Sequence, residues 1–371
     1  MNGLQTPRNN VTINIDFTKH VLKKTWLSIL LSPISNIFTV VLFCRRKLMR
    51  WGQFHAPICI VSIGNVVSGG SGKTPTTMSI VKLLSARGYR VAVSHRGYLG
   101  KFESNPTLIS NQSCVYDHAA EAGDEAYLLA LKLSGVPVVV GKNRKAAIKL
   151  LLVKHPDLQI IVLDDSFQHL KVYHDIDIIT FSSDVGIGNG YVLPAGYLRE
   201  PLTAIQANHI ALINHKDPTA NLKHLLHVIK KRTNNVFTAS LCVERYYNCQ
   251  GRNVAIEDIR ELPLILMSGI AFPKSFLQTA VNAGLKIYKS YQYSDHYAFE
   301  DIKQIQSIAD FCKSHGIKYI LTTEKDYVKL KKYEVIQSML VVCAITYKIE
   351  NQKVFEDLLV EKIEQAGKLR I

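Results

Sequence analysis

The 371-residue sequence lacks the cysteine patterns that stabilise many secreted and zinc-binding proteins. Its seven cysteines are scattered, odd in number and form no Cys-x-x-Cys pair. This spacing argues against a disulfide framework and against a structural zinc site, and it fits a reducing compartment. The chain also shows no internal repeat and no low-complexity tract.

Acidic residues are scarce relative to basic ones: 30 Asp and Glu face 45 Lys and Arg, a net charge of +15. This excess favours an anionic partner, such as nucleic acid, acidic lipid or a phosphorylated substrate. No dense basic run is interleaved with aromatic residues, so we predict no nucleic-acid partner. Apolar residues make up 47% of the chain. Because the length exceeds the roughly 250–300 residues at which single cores stop growing, we expect two domains.

Twenty residues without a charge run from Thr25 to Cys44. This length can cross a hydrocarbon layer of about 30 Å. Polar residues interrupt the run, so a helix lying in the membrane interface and a buried soluble helix are alternatives. The basic cluster that follows, Arg45 to Arg50, favours an anionic membrane surface and places the next domain in the cytoplasm. We predict a flexible extension at 1–24 and a membrane anchor helix with its basic flank at 25–50.

A glycine-rich turn lies between a strand-like run, Ile58–Ile63, and a helix-like run, Met78–Leu84. Glycines let backbone N–H groups turn toward an anion, and the helix N-terminus adds a favourable dipole. The predicted phosphate cradle consists of Ser68, Gly69, Gly70, Ser71, Gly72, Lys73 and Thr74. Lys73 is expected to reach the β- and γ-phosphates of a nucleotide, and the Thr74 hydroxyl to hold Mg²⁺. One residue departs from the usual motif, since Val67 stands where the first glycine is normally found.

Strand-like and helix-like stretches alternate after this turn, a pattern typical of a parallel sheet wrapped by helices. A second block begins near Lys216, is again α/β, and contains no phosphate loop of its own. We therefore predict an α/β fold: a P-loop NTPase-like parallel-sheet domain at 51–230 and a second, smaller α/β domain at 231–371. The boundary falls between about residues 215 and 240.

Several acidic residues lie where strands end or helices begin. Asp164 and Asp165 follow the apolar strand Ile160–Leu163, so they are candidates for the metal side of a nucleotide site or for a solvated turn. Asp124 and Glu125 open a helix. Asp124 could cap the free N–H groups there, or one of the two acids could face the γ-phosphate.

Two further segments carry candidate residues. The loop Leu193–Pro201 ends in Arg199 and Glu200, which suit phosphate and Mg²⁺ respectively, although a plain surface connection is the alternative. Arg96 follows a strand and is another phosphate candidate. His296 lies beside an aspartate before a helix, so it is a candidate base, although a lone histidine is more often structural.

The order of these motifs resembles one family, the tetraacyldisaccharide 4′-kinases, which phosphorylate the lipid A precursor in Gram-negative bacteria. The resemblance extends from about Trp26 to Leu330. The matching motifs are Leu30–Ser35 with Arg45-Arg46, Ser62–Asn65, Gly69–Pro75, Arg96–Tyr98, Gly123–Glu125, Asp164-Asp165 with Phe167–His169, Gly188–Gly190, Leu193–Pro201, Gly269–Ala271, Asp295-His296 and Thr323–Asp326. The family's phosphate loop also lacks the first glycine. Two positions depart from the family pattern: Ser166 replaces a usual glycine and Tyr197 a usual proline.

The resemblance implies ATP- and Mg²⁺-dependent phosphoryl transfer to the 4′-hydroxyl of a membrane-embedded, acylated glucosamine disaccharide 1-phosphate, giving lipid IVA. It implies an enzyme at the inner membrane whose two α/β domains face the cytoplasm, joined by a flexible strand linker with the active site between them. The implied site residues fall into two groups. Lys73, Asp124 and His296 are the catalytic residues, and Thr74, Asp164, Asp165 and Glu200 lie on the metal side, with Gln168 close by.

A membrane-tethered P-loop ATPase or GTPase switch, acting through partner binding, is the alternative function. It accounts for the phosphate loop, the paired aspartates and the anchor, but not for Asp295-His296 or the loop Leu193–Pro201. A GTPase would carry an Asn-Lys-x-Asp guanine reader, and the segment Thr323–Asp326 has Glu324 in place of the asparagine. The sequence leaves the role of Thr323–Asp326 open between a structural turn and catalysis.

Overall fold

A computed structural model describes residues 21–215, 221–270, 272–295 and 297–368. Within these ranges thirteen strands form one sheet with helices on both faces. The strands are β1 (Cys59–Gly64), β2 (Val91–His95), β3 (Thr107–Ser110), β4 (Val138–Val140), β5 (Ile160–Leu163), β6 (Ile176–Ser182), β7 (Ile210–His215), β8 (Val236–Asn248), β9 (Asn253–Val254), β10 (Pro263–Ser268), β11 (Lys286–Gln292), β12 (Tyr319–Thr323) and β13 (Leu340–Ile349). The helices are α1 (Trp26–Arg50), α2 (Lys73–Ala86), α3 (Asp124–Lys132), α4 (Arg144–Lys154), α5 (Lys223–Lys230), α6 (Ile256–Arg260), α7 (Pro273–Asn282), α8 (Ile302–Ser314), α9 (Glu324–Leu330), α10 (Glu334–Gln337) and α11 (Gln352–Lys368).

The strand order is β11-β10-β12-β13-β8-β7-β6-β1-β5-β2-β4-β3, with β9 paired to β8. Neighbouring strands are parallel except in the pairs β3–β4, β8–β9 and β8–β13. Strands such as β1 and β5 are buried along their whole length, which explains their continuous apolar sequence. The predicted α/β fold class is confirmed. The carboxyl ends of β1, β2 and β5 meet at one edge, where ligands bind in such sheets.

The two predicted α/β units share this one sheet. The first residues of β8 pair in parallel with β7, and its later residues pair antiparallel with β13. The predicted boundary between residues 230 and 231 lies at the end of α5, just before β8. The division into two domains joined by a flexible strand linker stays a prediction.

Apolar side chains fill both faces of the sheet. On one face Leu84 of α2, Leu129 of α3 and Phe355 of α11 are fully buried in one cluster. On the other face Ile148 and Leu151 of α4 pack against β1 and β5. Each such side chain contributes about 1.5–3 kcal/mol on burial. This packing fixes α2, α3 and α4 on the sheet and therefore fixes the strand-to-helix turns between them.

Helix α1 packs against the rest of the protein along one face. Its buried residues are Ser28, Ser35, Leu42 and Arg46, spaced seven, seven and four apart. Its other sides expose large apolar side chains: Trp26, Ile29, Leu30, Ile34, Ile37, Phe38, Val40, Val41, Phe43 and Leu48. In the part of the chain that the structure describes, α1 is the one helix long and apolar enough to cross a membrane. Most of the predicted flexible extension, residues 1–20, lies outside the described residues.

Candidate active site

The turn between β1 and α2 is held in a fixed shape. Gly72 precedes α2 with φ of 80°, and a Cβ there would lie 2.7 Å from Tyr347 Oη and 2.8 Å from Asn214 Nδ2. The Asn214 amide donates to the carbonyl oxygen of Ser71 at 2.8 Å, and the Asn65 amide donates to Ser71 Oγ at 2.9 Å. No side chain caps the N-terminus of α2. Its backbone N–H groups are therefore available to an anion, as the sequence predicts.

The loop Leu193–Pro201 packs against this turn and explains the missing first glycine. Val67 is buried and forms a β-bridge with Leu198. The N–H of Ser68 donates to the carbonyl oxygen of Tyr197 at 2.9 Å. Gly69 has φ of 84°, a conformation that favours glycine, and a Cβ there would lie 2.4 Å from the Tyr197 hydroxyl. Val67 thus holds the turn against the loop. Tyr197, which stands where the family usually has proline, lies over the turn at Gly69.

Lys73, Thr74 and the two aspartates lie together at the carboxyl ends of β1 and β5. Lys73 Nζ lies 3.7 Å from Asp165 Oδ1, and Thr74 Oγ1 donates to Asp164 Oδ2 at 3.3 Å. Thr77 Oγ1 donates to the other oxygen of Asp164 at 2.8 Å. Burial raises the pKa of Asp164. A cation beside this carboxylate would therefore stabilise its charged form.

The oxygen donors at this edge suit Mg²⁺. Asp165 has φ of 47°, an uncommon conformation for a non-glycine residue, and its Oδ1 is buried without a hydrogen bond within the described chain. The hydroxyl of Thr74 and the carboxylates of Asp164 and Asp165 are hard ligands. Because Mg²⁺ usually takes one or two protein carboxylates together with nucleotide phosphates, the residues present fit this ion.

His95 and Glu125 join the same edge, and the sequence did not identify His95 as a site residue. His95 Nε2 lies 3.6 Å from Glu125 Oε2 and 3.8 Å from Asp164 Oδ2. Its Nδ1 accepts from the N–H of Gly97 at 2.9 Å, so the ring proton belongs on Nε2, facing the carboxylates. Burial opposes ionisation of Glu125, but the neighbouring His95 and the charge of Lys325 hold its pKa well below its usual range.

Arg144 is a second residue that sequence reasoning missed. Its buried guanidinium donates to the carbonyl oxygen of Asp164 at 2.5 Å and to Ser94 Oγ at 3.2 Å. Burial lowers its pKa to about 10. Arg144 thus ties the ends of β2 and β5 together. The predicted phosphate candidate Arg96 contacts Glu103, with Nε 2.7 Å from Oε1.

Asp124 is the first residue of α3 and contacts helix α9. The residue before the helix is Gly123, so the side chain of Asp124 does not cap it. Asp124 Oδ2 lies 2.8 Å from Lys329 Nζ of α9. The predicted partner of Asp124, His296, lies outside the described residues. Its neighbour Asp295 accepts from Lys325 Nζ at 3.0 Å.

Glu200 contacts the C-terminal part of helix α1. Its fully buried carboxylate lies 3.3 Å from Arg46 NH1 and 3.8 Å from Arg45 NH1, both at the end of α1. Burial raises the pKa of Glu200, while Arg46 opposes the shift. The adjacent Arg199 does reach the site, with NH1 3.8 Å from Asp165 Oδ1. The role of Glu200 as a metal ligand stays a prediction.

The segment after Asp165 connects the paired aspartates to the phosphate loop. Gln168 Nε2 donates to the carbonyl oxygen of Asn65 at 2.7 Å. Ser166 is buried, and its hydroxyl oxygen lies 2.9 Å from both Ser62 Oγ and the carbonyl oxygen of Leu163. Serine is therefore accommodated at this position, where the family usually has glycine.

Comparison with known proteins gives one consistent result. A family model described as tetraacyldisaccharide-1-P 4′-kinase matches residues 27–364. Curated relatives named tetraacyldisaccharide 4′-kinase include a protein of Dichelobacter nodosus, 32% identical over 84% of this chain and 87% of the relative. Another, from Chromobacterium violaceum, is 33% identical over 83% of this chain and 85% of the relative. A crystal structure of LpxK from Aquifex aeolicus in complex with ATP is 26% identical with a TM-score of 0.73, covering 91% of this chain and 99% of that one.

Proposed function

Since the chain belongs to the tetraacyldisaccharide 4′-kinase family and is therefore a kinase of lipid A biosynthesis, we propose that it phosphorylates the 4′-hydroxyl of the acylated glucosamine disaccharide 1-phosphate. The phosphate donor is ATP and the product is lipid IVA. The observation that carries the proposal is the meeting of Lys73, Thr74 and Asp164 at the open N-terminus of α2. LpxK from Aquifex aeolicus was crystallised in complex with ATP, which supports the same nucleotide here.

The phosphates of ATP would lie at the backbone N–H groups of the turn from Ser68 to Thr74. Lys73 would leave Asp165 and reach the β- and γ-phosphate oxygens. Phosphoryl transfer has a loose transition state, so fixed positive charge and orientation lower its barrier more than covalent chemistry does. The hydrogen bonds that hold Ser71 and Gly72 keep these groups oriented before the nucleotide arrives.

Thr74, Asp164 and Asp165 would hold Mg²⁺. The chemistry that this ion supplies when bound is neutralisation of charge on the β- and γ-phosphate oxygens. Glu200 stays a predicted member of this set, and its described contacts are with Arg45 and Arg46. Arg144 and His95 would not contact the ion; they would hold Asp164 in position.

Asp124 and His296 would move the proton of the sugar hydroxyl. As the 4′-oxygen bonds to the γ-phosphorus, the bond from that phosphorus to the ADP oxygen breaks and the hydroxyl proton passes to Asp124. Asp124 begins α3 at the same sheet edge as the phosphate loop. The chain next to His296 reaches this edge as well, since Asp295 contacts Lys325, which in turn lies 3.6 Å from Glu125.

Helix α1 would lie in the cytoplasmic interface of the inner membrane. Ser35, near the middle of α1, donates to the carbonyl oxygen of Val192 at 2.7 Å and accepts from the N–H of Ala195 at 2.9 Å. A helix crossing the bilayer would carry this polar loop toward the hydrocarbon centre, which is costly. Lying in the interface, α1 keeps the loop at headgroup depth and buries its exposed apolar face in lipid. The active site then faces the sugar of a membrane-embedded substrate.

An acceptor assay tests the proposed reaction. Purified protein receives γ-labelled ATP, Mg²⁺ and the acylated disaccharide 1-phosphate in detergent micelles. We expect label at the 4′-position and none when the acceptor already carries a 4′-phosphate. Absence of labelled product across a range of Mg²⁺ and detergent concentrations would contradict the proposal.

Charges placed on the exposed face of α1 are expected to weaken membrane binding. Ile34 and Ile37 are 53% and 67% exposed, so the double variant Ile34→Glu, Ile37→Glu removes apolar area from the proposed lipid face. We expect partitioning onto phosphatidylethanolamine–phosphatidylglycerol vesicles to fall about ten- to a hundredfold. The matched control is Val153→Glu, an exposed apolar residue on α4. Vesicle flotation measures the bound fraction. Equal bound fractions of the double variant, the control and the wild type would reject the interfacial placement of α1.

A further inference from the structure

The segment Thr323–Asp326, whose role the sequence leaves open, anchors α9 to the sheet. Thr323 Oγ1 donates to Asp326 Oδ2 at 2.7 Å and accepts from the Asp326 N–H at 3.2 Å, which caps the helix. Asp326 Oδ2 also accepts from the N–H of Gly269 at 3.0 Å, just after β10. Asp326 is fully buried. The first turn of α9 is therefore fixed relative to β10 and β12.

From this fixed start α9 directs charged side chains at α3. Glu324 pairs with Lys132 in the last turn of α3. Lys325 Nζ lies 3.6 Å from Oε1 of Glu125, which is in the first turn of α3. Residues four apart share a helix face, and accordingly Lys329 lies beside Lys325 and reaches Asp124. Three ion pairs thus clamp both ends of α3 to α9.

Lys329 is the most constrained of these cations. Its side chain is only 9% exposed, with Nζ 2.8 Å from Asp124 Oδ2. The same ammonium donates to the carbonyl oxygen of Tyr297 at 2.9 Å and lies 5.9 Å from the ring centroid of Phe299. Tyr297 directly follows His296 in the chain. One ammonium thus holds the carboxylate of Asp124 and the backbone next to His296.

We infer that Lys329 is a positioning residue for phosphoryl transfer, which sets Asp124 against the segment that carries His296. The inference rests on the proposed function, in which those two residues handle the hydroxyl proton. A lysine suits this place because its ammonium can satisfy a carboxylate and a carbonyl oxygen together. The contacts of Lys329 do not include the phosphate loop, so its loss should alter the chemical step and leave nucleotide binding nearly unchanged.

A double-mutant cycle between Lys329 and Asp124 tests the inference. We expect Lys329→Met to lower kcat about ten- to a hundredfold with the KM for ATP within about threefold, because misplacing a reacting group by about 1 Å has effects of this size. In the Asp124→Asn background the same change should lower kcat less than about threefold. Lys329→Arg, which keeps the charge, should recover part of the loss. The matched control is Lys331→Met, since Lys331 also joins α9 to α3, through Tyr127 Oη, without contacting Asp124.

The outcomes separate this inference from the proposed function. Equal loss from Lys329→Met in both backgrounds, or a wild-type kcat in Lys329→Met, would overturn the positioning role. Wild-type kcat in Asp124→Asn would instead refute the acid–base role of Asp124. If Lys329→Met does not fold by circular dichroism, Lys329→Arg takes its place in the cycle. Independence of Lys329→Arg and Asp124→Asn would then count against the inference.

Discussion

Replacing Lys73 with alanine is expected to lower kcat by a factor of at least about a hundred. Lys73 is the first residue of α2, and its ammonium lies 3.7 Å from Asp165 Oδ1 at the edge where the phosphates would bind. Charge that develops on the transferring phosphoryl group needs a fixed cation nearby. Steady-state kinetics with labelled ATP and the lipid acceptor measure the loss.

The matched control for this variant lies on the same helix. Lys82 contacts Glu244 at 3.0 Å, and both side chains are about a third or more exposed. Such surface pairs contribute little, so Lys82→Ala should keep kcat within about twofold. Near-wild-type kcat for Lys73→Ala would remove Lys73 from the site and with it the nucleotide position proposed above.

Asp124→Asn is expected to lower kcat by a factor of about a hundred or more, with little change in the KM for ATP. The amide keeps the size of the side chain but cannot accept the sugar proton as a carboxylate does. Equilibrium binding of a labelled ATP analogue measures nucleotide affinity separately, and it should stay within about threefold of the wild type.

Asp117 provides the control for Asp124. It is exposed in the short 3-10 turn, Asp117–Ala122, that precedes α3. Asp117→Asn should therefore leave kcat unchanged. A loss of nucleotide affinity in Asp124→Asn that matches its loss in kcat would reassign Asp124 from proton transfer to nucleotide binding.

Local sequence was enough to predict the phosphate loop and the strand that carries the aspartates. A strand, a glycine turn and a helix follow one another directly between Cys59 and Ala86, so their geometry depends mostly on neighbours in the chain. The apolar run Ile160–Leu163 forms β5 and pairs with β1, as its position after a phosphate loop suggests. Asp164 and Asp165 therefore lie where the sequence placed them.

The missed residues depend on contacts between distant parts of the chain. His95 reaches Asp164 because β2 lies beside β5, a neighbour relation that no local pattern encodes. Arg144 begins a helix, and only its burial at the ends of β2 and β5 shows its role. Lys325 of α9 contacts Asp295, thirty residues away in the chain, and no local pattern predicts this contact either.

Three strands of the second unit, β9, β11 and β13, also went unpredicted. β11, Lys286–Gln292, is an edge strand, and its lysines interrupt the alternation of apolar and polar residues that would indicate a strand. β13, Leu340–Ile349, is apolar enough but was not identified as a strand. Its importance lies in Tyr347, whose hydroxyl lies against Gly72 of the phosphate loop. The second unit thus contributes directly to the shape of the nucleotide site.

The docked face of α1 has a practical consequence for handling the enzyme. A soluble fragment that begins after Arg50 would strip the cations from the buried carboxylate of Glu200 and open the apolar cluster that Leu42 completes. Glu200 lies near the end of the loop Leu193–Pro201. The same loop contacts Val67 and Ser68 at the phosphate turn, so a change at Glu200 would also affect that turn. Detergents would cover the exposed apolar face of α1 and leave the helix in place. We therefore expect detergent solubilisation to give more active protein than truncation.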